Sequence, residues 1–189
     1  MSLMATQSWN DYEGYHYGLK EYDAFHWNLD VQYTPSDTAR FNAFIGQQES
    51  EWSQLAREDH DPGVLDWRTD VDDDNLFAGV GVNVELIKDK LSLEGRYSYS
   101  SSEVDTMITD ELGGLQVLPQ NEVTRHIINL DLDWTYTDQL DFVVNYLYED
   151  RDVENWAWDK TAYLADYAFG WAPQDFSVHY FTVGVRLAF

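Results

Sequence analysis

The densest group of side chains that could bind an ion is a run of aspartates in the middle of the chain. It consists of Asp70, Asp72, Asp73 and Asp74, and further acids precede it at 59, 61 and 66. Carboxylate oxygens at this density suit Ca²⁺, so the run is a candidate metal site. The spacing does not match an EF-hand loop, because Leu76 and Gly81 stand where ligands would be needed. The alternative is a solvated acidic loop without an ion.

No other residue pattern predicts catalysis or a bound cofactor. The five histidines are isolated, with no H-x-x-H or H-E-x-x-H spacing. There is no Gly-rich phosphate loop and no G-x-S-x-G element. Cysteine is absent, which excludes disulfides, thiolate metal sites and covalent c-type haem attachment. We therefore predict a protein that is not an enzyme and holds no cofactor of its own, with Ca²⁺ as the one open candidate.

The charge of the chain excludes one class of partner. Thirty-five acidic residues face eleven basic ones, for a formal net charge of −24, and aromatic residues make up 16%. Nucleic-acid binding requires a basic surface, so a nucleic-acid partner is not expected. A chain this acidic and this aromatic must place the two kinds of residue apart. Either it is a soluble acidic β-domain, or its aromatic residues face lipid while its acids lie in loops and lumen.

The elements that position these residues are strands, and the last ten residues show this best. From Tyr180 to Phe189 every second residue is apolar, which is the period of a β-strand. A closing strand that ends on an aromatic residue is typical of outer-membrane β-barrels. The same alternation recurs in six further segments, and a weaker first strand is expected within residues 9–20.

The connections between these segments alternate in length. Short turns fall near Ser36, Asp89 and Asp138, while long polar stretches cover residues 47–74, 100–123 and 150–176. This layout predicts an all-β, antiparallel up-and-down transmembrane β-barrel of about eight strands, each roughly 9–11 residues long. The short turns would be periplasmic, the long loops extracellular, and the location the outer membrane of a Gram-negative bacterium. The alternative is a soluble sandwich or ligand-binding barrel with its apolar face inside.

The alternation assigns side chains to two faces. The apolar side is predicted to contact lipid, at Trp27, Leu29, Val31, Leu130, Trp134, Phe142, Val183, Val185 and Phe189. The other side is predicted to face the lumen, with charges at His26, Asp30, Arg40, Glu94, Arg96, Asp131, Asp133 and Arg186. Enclosed charges must be paired or hydrated. The lumen is therefore either a structural salt-bridge plug or a path for cations or protons.

Two further segments have predicted roles. Residues 1–8 are expected to be an expression remnant or linker, followed by one β-barrel domain at 9–189. That domain is either a complete small barrel or the terminal segment of a larger one. The last long loop carries Trp156, Trp158 and Trp171, which would contact an extracellular partner or fold back over the barrel mouth.

The carboxy-terminal third resembles the MtrB/PioB family of outer-membrane β-barrels. The similarity lies in three stretches: Leu-Asp-Trp-Thr-Tyr-Thr-Asp-Gln-Leu at 132–140, Tyr-Leu-Tyr-Glu-Asp-Arg-Asp-Val-Glu-Asn-Trp-Ala-Trp-Asp at 146–159, and Val-Gly-Val-Arg-Leu-Ala-Phe at 183–189. The turn at 33–37 is similar to that family's periplasmic turns.

The resemblance implies a barrel that sheathes a multihaem cytochrome and lets electrons cross the outer membrane, with cytochrome partners on the periplasmic and extracellular sides. Haem would then come only through a partner. The chain departs from the family in its smaller size and in lacking the cysteine pair found in some members. An eight-stranded closure could not enclose a cytochrome, so a pore or adhesin-type barrel without a redox partner is the second hypothesis.

Overall fold

In the residues that the structure describes, nine β-strands join into one antiparallel sheet. The computed structural model describes residues 1–12, 17–57, 66–110, 114–118, 120–154 and 175–187. The strands are β1 (Ser2–Asp11), β2 (Gly18–Ser36), β3 (Ala39–Arg57), β4 (Asp66–Ile87), β5 (Leu91–Asp110), β6 (Leu115–Val117), β7 (Asn121–Thr137), β8 (Leu140–Glu154) and β9 (Phe176–Leu187). Among the described residues, no helix is long and apolar enough to cross a membrane.

Eight of these strands follow one another through the sheet in chain order. The path is β1-β2-β3-β4-β5-β7-β8-β9, and the short β6 pairs only with the end of β5. The predicted all-β up-and-down architecture of about eight strands is therefore confirmed. Within the described part of the chain, β1 pairs with β2 alone and β9 with β8 alone.

The three short turns lie where the sequence predicts them. Two of them contain two residues, between Ser36 and Ala39 and between Thr137 and Leu140, which are paired. The third joins β4 to β5 and holds Asp89 at a positive φ of 56°. All three hairpins have a register shift in the last residues before the turn. Such shifts increase the local twist of the paired strands.

Six of the described strands, β2 to β5, β7 and β8, are longer than the predicted 9–11 residues, with 15 to 22 residues each. β3 continues to Arg57 and β4 begins at Asp66, so most of the stretch predicted as a loop at 47–74 is paired sheet. β5, β7 and β8 likewise extend into the other two predicted loops. The prediction was wrong because it followed apolar alternation, which stops where both faces of the sheet become polar. Backbone hydrogen bonding does not stop there, and polar residues continue the ladder.

The first strand also differs from the prediction. Residues 1–8 are not a linker, since Ser2–Asp11 form β1 and pair with β2 over ten positions, from Ser2 opposite Asp30 to Asp11 opposite Glu21. The weak strand expected within 9–20 is divided between the end of β1 and the start of β2. Residues 5–8 are exposed and mostly polar, so β1 lacks the apolar–polar alternation by which the other strands were predicted.

The sheet has no dry interior in the part of the chain that the structure describes. Val71 is the one hydrophobic residue there in the buried class, at 6% exposure. Instead, exposed and half-buried residues alternate along β3 and β4. The apolar side is the more exposed one, which indicates that the polar side is concave, because side chains on a concave face shield one another.

Candidate functional site

The sheet separates its side chains into an apolar face and a polar face. The apolar face is defined by the residues in register with Leu130, namely Tyr33, Phe41, Val82, Gly95, Tyr146 and Phe181, and by those at even spacing from them. The polar face carries the residues between. The pairing brings together side chains that are far apart in sequence, and the apolar ones concentrate on the first face in the rows around Leu130.

The residues predicted to contact lipid share the apolar face. Leu130 and Val183 are 42% and 62% exposed, although both are large and hydrophobic. Their register places Val144 between Leu132 and Val183, and Phe142 between Trp134 and Val185. Trp27, Leu29 and Val31 occupy the same face on β2. Phe189 lies outside the described residues.

Two diagonal bands of aromatic side chains border the apolar face. The loop-side band passes from Trp27 through Tyr97 and Tyr99 to Tyr146 and Tyr148, and the turn-side band passes from Tyr33 and Phe41 to Trp134 and Phe142. Relative to the rows of directly paired residues, each band shifts by about one residue toward the short turns from one strand to the next. This shift corresponds to a strand tilt of roughly 35°. Transmembrane barrels have this tilt and these aromatic girdles.

Two histidines also belong to the loop-side band, although the sequence alternation did not predict them. The hydroxyl of Tyr97 lies 2.8 Å from Nδ1 of His126, and that of Tyr146 lies 2.9 Å from Nδ1 of His179. A second tyrosine ring flanks each histidine, Tyr99 at 5.1 Å and Tyr148 at 4.8 Å between centroids. The two clusters repeat the same arrangement on β5–β7 and β8–β9. The repeated Tyr-x-Tyr was visible in the sequence, but its histidine partners depend on register.

The polar face contains the charges predicted for the lumen, and several of them contact one another. Arg186 donates to Asp133 at 2.7 Å, reaching across β8. Glu94 and Arg96 lie 4.0 Å apart, and Asp30 accepts a 2.6 Å bond from Asn28. These are partly exposed contacts of modest strength.

The other predicted lumen residues have polar or aromatic neighbours. Asp131 accepts a short hydrogen bond from Asn145, whose amide oxygen accepts from Thr182 at 3.1 Å. His26 stacks on Phe77 with centroids 5.8 Å apart. Arg40 lies opposite Asn83 in the ladder.

Two features of the polar face could not be found by alternation alone. Arg125 donates to Glu149 at 2.7 Å, next to its cross-strand partner Arg151. Phe44 and Phe77 are large aromatic residues on the polar face, and each covers a glycine of the opposite strand. Both features depend on which residues face each other across the ladder, and a single sequence does not specify that.

The aspartate run predicted as a Ca²⁺ site is part of a strand rather than a loop. It lies within β4, so Asp73 points to the face opposite Asp70, Asp72 and Asp74. Asp70 pairs with Arg68 at 2.8 Å, Asp73 accepts from Ser102 at 3.2 Å, and Asp74 accepts from Gln47. In the described ranges no three His, Asp or Glu side chains are arranged to hold a metal ion. The prediction placed these residues in a loop that could wrap around an ion, whereas adjacent side chains of a strand point to opposite faces of the sheet.

The aromatic residues proposed for an extracellular contact, Trp156, Trp158 and Trp171, lie outside the described residues.

Comparisons with known proteins agree with this geometry. The family model of the MtrB/PioB outer-membrane β-barrel porins matches residues 1–189. Among solved structures, the copper transporter OprC is similar with a TM-score of 0.62 and 10% identity, over 91% of this chain and 28% of that one. The ferric preacinetobactin receptor BauA of Acinetobacter baumannii gives a TM-score of 0.60 and 11% identity, over 87% and 28%.

At identities of 10% and 11%, the two structures support the fold alone. This chain spans about 28% of the length of each of them. The comparison with curated proteins found no match. The family match covers the whole sequence and agrees with the tilt, the aromatic bands and the exposed apolar face. The chain belongs to the MtrB/PioB family of β-barrel porins of the Gram-negative outer membrane.

Proposed function

We propose that this chain forms part of the wall of a barrel that insulates an electron-transfer conduit across the outer membrane. A multihaem cytochrome, enclosed by the barrel or docked to it, would carry the redox chemistry. The chain itself would catalyse no reaction and would bind haem only through that partner. The family match over residues 1–189 is the observation that carries this proposal.

The two faces support an insulating role. Residues such as Val183 and Leu130 expose hydrocarbon on one side, which suits contact with acyl chains. Arg186, Asp133 and their neighbours give the other side a hydrogen-bonding surface suited to water or a protein. The paired backbone between them is a layer that electrons and ions do not readily cross.

The polar face is also smooth where β3, β4 and β5 meet. Gly46 and Gly79 lie buried beneath aromatic rings, and the facing positions on β5 are small serines, Ser98 and Ser100. Because the residues at these positions are small, another protein surface can approach the sheet closely. This close approach therefore favours an enclosed partner over a lumen filled by the barrel's own side chains.

The conduit role requires a barrel wider than one of eight strands. A closed barrel of eight strands has an interior just filled by side chains, so a cytochrome needs a wider one. In the described sheet β1 and β9 are the edge strands, each paired with one neighbour. The similar solved chains are more than three times as long as this chain. We propose that these strands are one segment of a wider wall.

The test is to extract the protein from native outer membranes in mild detergent and purify it through a tag. We expect a haem protein to co-elute at a fixed stoichiometry. Liposomes holding this complex and an entrapped redox dye should reduce the dye when dithionite is added outside. Elution without haem absorbance, together with dye reduction no faster than in empty liposomes, would contradict the conduit role.

A pore without a redox partner is the second candidate. The polar face carries more acids than bases near Asp131 and Asp133, which favours cations in the lumen. Purified protein alone in a planar bilayer would then give cation-selective conductance. Conductance without any haem partner in the native preparation would favour this candidate over the conduit.

A further inference from the structure

Beyond the loop-side aromatic band, the apolar face turns acidic. Seven carboxylates continue this face on β2 to β5, and we call them the acidic belt: Asp23, Glu49, Glu51, Asp72, Asp74, Glu103 and Asp105. On β4, Asp74 is the next outward residue after Leu76, so apolar surface and acidic surface are directly continuous. The belt therefore begins about where hydrocarbon gives way to headgroups.

The register places these acids directly opposite one another. One row runs Glu49–Asp74–Glu103, and the next runs Asp23–Glu51–Asp72–Asp105. Like charges at directly opposite positions destabilise a sheet. An arrangement that concentrates them over four strands calls for a counter-charge.

The observed donors to the belt are mostly neutral amides. Gln47 donates to Glu49 at 2.9 Å and to Asp74 at 3.0 Å, and Gln120 lies 3.3 Å from both Glu103 and Asp105. Arg68 lies beyond the two rows and contacts Glu21 and Asp70 instead. Amide contacts leave the negative charge of the belt in place.

A buried polar side chain beside the belt also lacks a partner. Ser53 is 3% exposed, and its Oγ has no hydrogen-bond partner in the protein. It lines a hollow of about 500 Å³ together with Asp23, Glu51 and Asp72, and Arg68 lies at the same hollow, paired with Asp70 and Glu21. Buried hydroxyls are almost always satisfied, so this one points to a ligand or water shell held in the hollow.

The protein alone cannot complete the coordination of an ion there. In the described part of the chain, no three acidic or histidine side chains are arranged around one point. Cross-strand pairs such as Glu49 and Asp74 offer two carboxylates, and Ca²⁺ needs six to eight oxygens in total. The remaining oxygens must come from outside the chain.

We propose that the acidic belt binds divalent cations that bridge it to phosphate groups of the outer-leaflet lipid. Carboxylates and lipid phosphates repel each other, and a divalent cation between them removes that repulsion and joins both. The inference rests on the apolar face meeting lipid, which the proposed function shares, but it does not depend on a cytochrome.

The experiment uses the full chain in vesicles of phosphatidylcholine with lipopolysaccharide and in vesicles of phosphatidylcholine alone. The measurement is the midpoint of thermal unfolding, followed by far-UV circular dichroism, with and without millimolar Ca²⁺. Because a ligand that binds only the folded state raises this midpoint, we expect a rise of several degrees with lipopolysaccharide. We expect little change in phosphatidylcholine, even with free inorganic phosphate added.

Two triple variants isolate the belt. Asp23→Asn/Glu51→Gln/Asp72→Asn, at the acids that line the hollow with Ser53, should lose the Ca²⁺-dependent rise. Asp37→Asn/Asp89→Asn/Asp138→Asn removes the same charge at the short turns and should retain it. An equal rise in the belt variant, or in phosphatidylcholine alone, would overturn the proposal. So would the absence of a rise in the parent chain after heat-modifiable gel mobility has shown insertion, and that result would leave the proposed function untouched.

Discussion

The ring of Phe77 lies directly over Gly46, its cross-strand partner. A Cβ atom built on Gly46 would fall 2.7 Å from Cε2 of Phe77, well inside contact distance. Phe44 covers Gly79 in the same way from the other strand. Two Phe–Gly pairs thus interlock across β3 and β4, and aromatic cover of this kind compensates for the missing glycine side chain.

Substituting either glycine should therefore destabilise the sheet. Gly46→Ala and Gly79→Ala each place a methyl group against a phenylalanine ring and 2.7 Å from a backbone oxygen, that of Trp27 or of Tyr97, at a cost of about 1–3 kcal/mol. The measurement is urea-induced unfolding in detergent micelles, followed by tryptophan fluorescence. Gly184→Ala is the matched control, because a Cβ atom added there would lie 4.0 Å from its nearest neighbour, Val143. A loss of stability at Gly184 as large as at Gly46 would contradict the explanation.

Asp89 tests the geometry of the turn between β4 and β5. Its φ of 56° lies in the left-handed region, which Gly, Asn and Asp tolerate and β-branched residues do not. We expect Asp89→Gly to be neutral or slightly stabilising, and Asp89→Val to cost about 1–2 kcal/mol. Thermal unfolding of the two variants side by side checks this. Equal stabilities would show that the turn has a different conformation.

Two adjacent valines test which face meets the bilayer. Val144 lies on the apolar face between Leu132 and Val183, while Val143 lies on the polar face opposite Asp133 and Gly184. Arginine on the lipid side near the midplane costs about 2–4 kcal/mol, so Val144→Arg should fold poorly into vesicles. Val143→Arg places its charge near Asp133 and should fold nearly as well as the parent. The yield of heat-modifiable protein after refolding measures both, and the reverse order would show that the faces are exchanged.

The hydrogen bonds of the tyrosine–histidine clusters are expected to contribute modestly to stability. Tyr146→Phe removes the hydroxyl 2.9 Å from Nδ1 of His179, and the loss of this exposed hydrogen bond is expected to cost about 0.5–1.5 kcal/mol. Tyr148→Phe is the control, since the observed contact of Tyr148 with His179 is between rings. Unfolding in urea should separate the two variants. If Tyr148→Phe is the more damaging, the hydroxyl contact is not the stabilising one.

The sequence predicted the hairpins well because their signals are local. Asp37, Asp89 and Asp138 mark turns by residue type alone, and alternation around Leu130 and Phe142 assigns each side chain to a face. These features need no knowledge of the neighbouring strand. The family resemblance also rested on local stretches, and the comparison extends it to the entire chain.

What the sequence did not predict depends on the neighbouring strand. The pairing of Tyr146 with His179, the cover of Gly46 by Phe77 and the rows of the acidic belt all require the register. The ends of β3 and β4 were missed for a related reason. Beyond the membrane boundary both faces are polar, so the pattern that marks a strand disappears while its hydrogen bonds persist.

The continuation of the ladder beyond the aromatic band has a mechanical consequence. β4 has 22 residues, about 70 Å of chain at the rise of an extended strand, whereas the lipid-facing zone of a barrel is about 25 Å tall. The excess lies beyond the lipid-facing zone as a collar of hydrogen-bonded sheet. Its rim can consequently change in sequence, or receive a docking protein, without loosening the half embedded in lipid.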